Sequence, residues 1–268
     1  MSKPVDADAL LDELGITQPG EIDVEAIASH CGATVLYECL SGCEARILGV
    51  RDRAIITVRA DSRRERQRFS VGHELGHWLR DRHRVGFSCT ESSFQVEWSS
   101  DNPERRANRF AADLLLPQRM FQPTARARSM TFETVRALAS SFVTSLTATA
   151  IRLVELGSFP AMLVCSGADG KRKWFLQGRD VHLWPVQEVG RETVAYEMGH
   201  GGTPREGPVD VCCDAWIDHP KAARHVLVED SVPMGSELVL SLLWWKDERQ
   251  LLAMQSDDDG SDADGEPE

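Results

Sequence analysis

The stretch "RFSVGHELGHWL", residues 68–79, limits the fold more than any other part of the chain. Residues four apart share a helical face, so a helix here turns His73 and His77 the same way and both can offer a ring nitrogen to one ion. Glu74 projects beside that point, where a carboxylate can take a proton from a water molecule attacking a carbonyl. The spacing therefore asks for a helix with a dry flank, which Phe69, Leu75, Trp78 and Leu79 can supply. It also asks for a third ligand from another element, because a catalytic zinc takes three protein ligands and keeps one position for water. Gly76 costs a helix about 1 kcal/mol relative to alanine, so it needs a packing or functional reason; the close approach of a strand or a substrate is the expected one.

Downstream, His83, Glu91, Glu97, Asp101 and Glu104 can be considered for the third ligand. His83 falls on the wrong side of the same helix, and Glu91 and Glu97 lie in a polar, aperiodic stretch. Glu104 opens the firm helix "ERRANRFAADLLLP", capped by Asn102 with Pro103 in its first turn, and shares a side with Ala107, Asn108 and Ala111. A first-turn acid favoured by the helix dipole also explains Glu104. Spacing alone favours the ligand and leaves both readings open.

The rest of the chain divides by texture. "ADALLDEL" and "DVEAIASHC" have helical apolar spacing; "ATVLYE", "ARILGV" and "AIITVR" read as three short strands in an antiparallel meander. Asp61-Ser62 is the expected cap of the histidine helix, which runs to about His83. Shorter helices follow over 118–157. Beyond Pro160 six β-rich pieces appear, among them "TVAYEM" and "VDVCCDAWI". The fold expected is α+β, with a metal-binding domain over 1–117, a helical segment over 118–157, a β-rich domain over 158–255 and an acidic, disordered tail over 256–268. That tail carries seven acids, so a net charge of −12 leaves only −5 on the body and excludes little. Seven cysteines without a C-x-x-C pair point to reduced thiols; with no signal-like N-terminus and no apolar run long enough to cross a membrane, a cytoplasmic protein is expected. Cys212 and Cys213 should face opposite sides of a strand, and with His200, His219 and His225 they match no standard metal spacing.

"RFSVGHELGHWL", followed about thirty residues later by "ERRANRFAADLLLP", resembles the ImmA/IrrE family of bacterial zinc metallopeptidases. "IITVRADSRRERQRF" is similar to that family's strand and Arg-rich approach to the active helix, and "ALASSFVTSLTATAIRLVELG" to its closing helices. The resemblance implies a zincin-like domain in which His73, His77 and Glu104 hold one zinc, Glu74 is the general base and Asn108 supports the ligands. It implies a zinc metalloendopeptidase that cuts a helix-turn-helix transcriptional repressor and so releases a stress, DNA-damage or mobile-element response, followed by a sensor domain resembling the GAF fold. A transcriptional regulator with a structural zinc, and a peptidase partner in a toxin–antitoxin or phage-defence system, are the alternatives. Tyr37, Tyr196, Arg152 and His83 are the groups that could stabilise an oxyanion. "LASSFVTSLTATAIRL" also has the outline of a helix-turn-helix. Yet five arginines against two glutamates give only +3 over 118–156, and the turn lacks glycine; packing rather than DNA contact is the expected role.

Overall fold

A computed structural model describes residues 6–80, 102–126, 128–202 and 207–256, and the backbone of 88–90. His83, Glu91, Glu97, Asp101 and the acidic tail lie outside the described residues. The chain forms two compact units, one of Met1–Pro123 with Leu138–Ala148, the other of Thr124–Ala137 with Thr149–Glu268. The helical stretch 118–157 is thus shared between them.

In the first unit α1 (Ala7–Glu13) and α2 (Val24–His30) precede three strands, β1 (Ala33–Glu38), β2 (Cys43–Val50) and β3 (Arg53–Arg59). Asp23 caps α2 as expected, its Oδ1 accepting the N–H groups of Glu25 and Ala26, both at 3.0 Å. The strands are not a simple meander. Their order is β1-β3-β2-β4, with β4 at Ser88–Thr90, and β1 runs parallel to β3. A meander pairs strands that are neighbours in sequence. Instead β3, whose Ala54, Ile56 and Val58 are all buried, takes the centre and pairs on both edges, with β2 antiparallel to it.

Helix α3 (Arg64–Arg80) lies against β2 and β3, and α4 (Pro103–Leu115) packs along α3. The start of α3 is fixed to the sheet by Glu44, which faces Arg59 at 3.3 Å and Arg66 at 3.6 Å and accepts the Ser62 hydroxyl at 2.7 Å. Ser62 is therefore a tie to the sheet and not the local cap expected of it. Further along, Trp78 donates its indole N–H to the Cys31 carbonyl at 2.9 Å, giving the apolar flank of the helix a polar anchor.

Helices α5 (Gln118–Arg126), α6 (Phe132–Phe142) and α7 (Leu146–Leu156) follow. Val143, between α6 and α7, has φ +54°, an unusual position for a β-branched residue and one where glycine is the unstrained choice. Among the described residues no single helix is long and apolar enough to cross a membrane.

The second unit is built on an antiparallel sheet ordered β6-β5-β9-β8-β7: β5 (Ala161–Gly167), β6 (Arg172–Gln177), β7 (Val209–Cys212), β8 (Val226–Met234) and β9 (Leu238–Trp244). "TVAYEM" is not a strand: Val194–Gly199 forms the short helix α8. Its first turn is held by the Thr193 hydroxyl and by the buried carboxylate of Glu229 on β8, which accepts Val194 N–H at 3.2 Å and Ala195 N–H at 2.8 Å. Tertiary capping here overrides the β propensity of the segment. The next residue on the same strand, Asp230, accepts the Phe132 N–H at the start of α6. Successive strand residues face opposite sides, so β8 caps one helix on each face of the sheet. A last helix, α9 (Glu248–Gln255), packs Leu251 and Met254 into the core.

Candidate metal centre

Helical periodicity does at His73 and His77 what the spacing anticipated. Their ring nitrogens Nε2 lie 3.1 Å apart, with ring centroids separated by 4.7 Å and nearly perpendicular. Glu104, in the first turn of α4, reaches both: one carboxylate oxygen is 3.2 Å from His73 Nε2, the other 3.3 Å from His77 Nε2. These three form the one group among the described residues whose donor atoms could share an ion, all within 4.8 Å of one another.

The spacing fits zinc. Bonds of about 2.0–2.1 Å at tetrahedral angles put neighbouring donor atoms roughly 3.3 Å apart; the two imidazole nitrogens are 3.1 Å apart, and each has a different Glu104 oxygen at 3.2 or 3.3 Å, so the carboxylate straddles the pair. Two imidazoles and a carboxylate are also a donor set that catalytic zinc uses. The histidines hold the Glu104 carboxyl far below the usual carboxylate range, through hydrogen bonds from His73 and then His77. Asn108 Oδ1 lies 2.9 Å from Nδ1 of His73. As an acceptor it holds a proton on Nδ1, so Nε2 is the nitrogen that would give up its proton, now shared with Glu104, to ligate an ion.

The flank is dry. Glu74 is 0% exposed, His77 2% and His73 7%. Glu104 is brought within reach by the small residues at the helix contact. A side chain on Gly76 would start 3.1 Å from the Cα and 3.3 Å from the carbonyl oxygen of Ala107; one on Gly72 would start 3.3 Å from the Ala107+4 neighbour, Ala111 Cβ. Gly76 thus makes room for α4, rather than for a strand or substrate. The part played by Gly72 and Ala111 was missed, although the four-residue spacing of small residues on both helices was there to be read. At the helix start, Asn102 caps α4 through the Glu104 N–H at 2.9 Å, so Glu104 is a first-turn residue and joins the histidines as well.

The oxyanion candidates that are described have partners of their own. Tyr37 donates its hydroxyl to Glu25. Arg152 and Tyr196 belong to the second unit, where Arg152 is 3% exposed and pairs with Glu155 at 3.1 Å and Tyr196 stacks on His200. His83 lies outside the described residues. Cys212 ends β7 and Cys213 begins a 3-10 turn, so the two do not share a strand as expected; Cys213 is fully buried and its thiol is pushed up to about 12 by burial, so it is not an activated nucleophile. The six cysteines whose side chains are described form no disulfide with one another.

Comparison with known proteins covers this part of the chain. Residues 28–154 match the Peptidase M78 family, described as the IrrE N-terminal-like domain. No curated protein sequence matches the chain. A solved structure described as a Mycobacterium tuberculosis transcriptional regulator is similar in fold, with a TM-score of 0.59 at 14% sequence identity, over 96% of this chain and 79% of that one.

Proposed function

Starting from an IrrE N-terminal-like domain over residues 28–154, we propose that the chain is a zinc-dependent endopeptidase with a narrow protein substrate. The observation that carries this reading is the convergence of His73, His77 and Glu104 from two packed helices beside a fully buried Glu74. When bound, zinc supplies a water of lowered pKa and a Lewis acid for the carbonyl. His73, His77 and Glu104 would hold it, and Asn108 fixes the ring of His73. Glu74 accepts the proton of the attacking water and returns it to the leaving amine nitrogen as the C–N bond breaks. By resemblance to the family, the substrate is a helix-turn-helix repressor in the cytoplasm, cut to release a stress or mobile-element programme. The second unit is then the GAF-like sensory body.

Glu74→Gln tests the assignment. It should keep one zinc per chain, read by metal analysis, while cleavage of a co-expressed helix-turn-helix repressor falls by about 10²-fold or more. Undiminished cleavage would remove Glu74 from the mechanism.

A second reading, a regulator whose zinc is structural, draws on the transcriptional regulator of similar fold. Against it, two of the five arginines over 118–156 are already engaged: Arg152 with Glu155, and Arg119 with Asp12 and the Ile16 carbonyl. Labelled-DNA binding at physiological salt separates the two, since tight binding that survives Glu74→Gln without proteolysis favours the regulator.

A further inference from the structure

An open cleft of about 530 Å3 in the first unit is lined by Ile22, Tyr37, Arg64 and Arg68, with Asp23 and Glu25 also facing it. It is not an extension of the metal centre. At about 100° per residue, Arg64 and Arg68 lie within roughly 40° of each other on α3, whereas Arg68 is about 140° from His73 and about 180° from His77. The cleft opens on the reverse of the metal helix.

Its charges are unequally engaged. Asp23 spends its Oδ1 on the N–H groups of Glu25 and Ala26, and Glu25 accepts the Tyr37 hydroxyl. Neither Arg64 nor Arg68 forms an ion pair among the described residues. Arg68 donates one Nη1 hydrogen to a neutral acceptor, the Ile22 carbonyl, at 2.9 Å, while its Nε is buried without a hydrogen-bond partner. Burial, and then the neighbouring Arg64 guanidinium, pull Arg68 below the usual arginine range, against the smaller opposing pull of the Asp23 and Glu25 carboxylates. Two adjacent guanidiniums with spare donors are suited to a planar or tetrahedral oxyanion, which they can grip with several charge-assisted hydrogen bonds. The Tyr37 ring, 41% exposed, offers an apolar surface beside them, and the volume lies within the range of small-molecule sites.

We propose that this cleft binds a small oxyanion-bearing molecule, its carboxylate or phosphate held between Arg64 and Arg68 and its apolar portion against Tyr37. The test is calorimetric titration of the full chain, zinc-loaded and chelator-stripped, with phenyl phosphate, benzoate and inorganic phosphate. Saturable binding that is equal with and without zinc is expected. The preference between phenyl phosphate and benzoate then identifies the anion. Arg64→Gln should weaken binding by about tenfold and Arg64→Gln/Arg68→Gln should abolish it. Arg64 is exposed, so the single variant is informative even where loss of Arg68 impairs folding. Absence of saturable binding for all three probes, binding unchanged in Arg64→Gln, or binding only in the zinc-loaded chain would each overturn the proposal; the last would place the anion on the metal.

Discussion

Replacing Gly76 by alanine adds one methyl group to the contact that brings Glu104 to the histidines. That carbon would sit 3.1 Å from Ala107 Cα, 3.2 Å from Phe110 Cβ and 3.3 Å from the Ala107 carbonyl oxygen. Carbon atoms pack at about 3.5–4.0 Å, so α4 must retreat by roughly 0.4 Å. Overpacking of this kind costs about 1–3 kcal/mol, and the better helix propensity of alanine returns about 1 kcal/mol. The metal-free chain should therefore lose about 0–2 kcal/mol. Zinc responds more sharply, because bond lengths at a metal site tolerate only about 0.2 Å and Glu104 lies less than one turn from Ala107. A loss of about tenfold in zinc affinity is expected, some 1.4 kcal/mol. Chelator competition gives the affinity and denaturant unfolding the stability. Gly72→Ala should do less, since its contacts are 3.3 and 3.4 Å to Ala111 and 3.7 Å to Leu114. Ala107→Gly should not rescue Gly76→Ala, because the obstructing Ala107 atoms are backbone. If Gly76→Ala bound zinc as tightly as the parent and unfolded later, α4 would have slack and the argument would fail.

Two further outcomes follow from the same structure. Asn108→Ala removes the acceptor that orients His73, and should weaken zinc binding by about 10–100-fold in the same chelator competition. Glu229 is the second: burial raises its carboxyl above 4.5, while hydrogen bonds from Ser231, Ala195, Trp216 and Val194 pull it back. An acid held up in the fold contributes stability that is complete below 4.5 and lost as pH rises through its folded value. Glu229→Gln, which cannot titrate, should be less stable through imperfect capping yet show a shallower fall in urea midpoint from pH 4 to 8. A parallel fall in both proteins would refute it, Asp230 remaining in each.

The metal centre was legible because its ligands follow helical arithmetic. His73 and His77 are four apart, and Glu104 and Asn108 are four apart on a helix whose Asn-Pro start is plain in the residues. Spacing could not say whether Glu104, a first-turn acid, also meets the histidines; the packing of α4 on α3 brings it to them. Strand pairing was less legible. Nothing local to "ATVLYE" says that it lies beside β3 and parallel to it, since that depends on which strand takes the buried centre. Helix α8 was misread for a related reason: one of its caps, Thr193, is local, but the other lies 34 and 35 residues away in Glu229.

The adjacent acids of β8 also bear on the order in which the chain can fold. The Phe132 N–H at the head of α6 is bonded to Asp230, 98 residues later, so closing that bond brings together distant parts of the chain and carries the entropy of a long loop. On the ribosome α6 can begin with only Thr131, whose hydroxyl meets the Thr134 N–H at 3.3 Å. The histidine helix and α4 are complete in sequence long before β8 emerges. His73, His77 and Glu104 can thus gather early in synthesis, while the head of α6 becomes fully bonded only after the last sheet has formed.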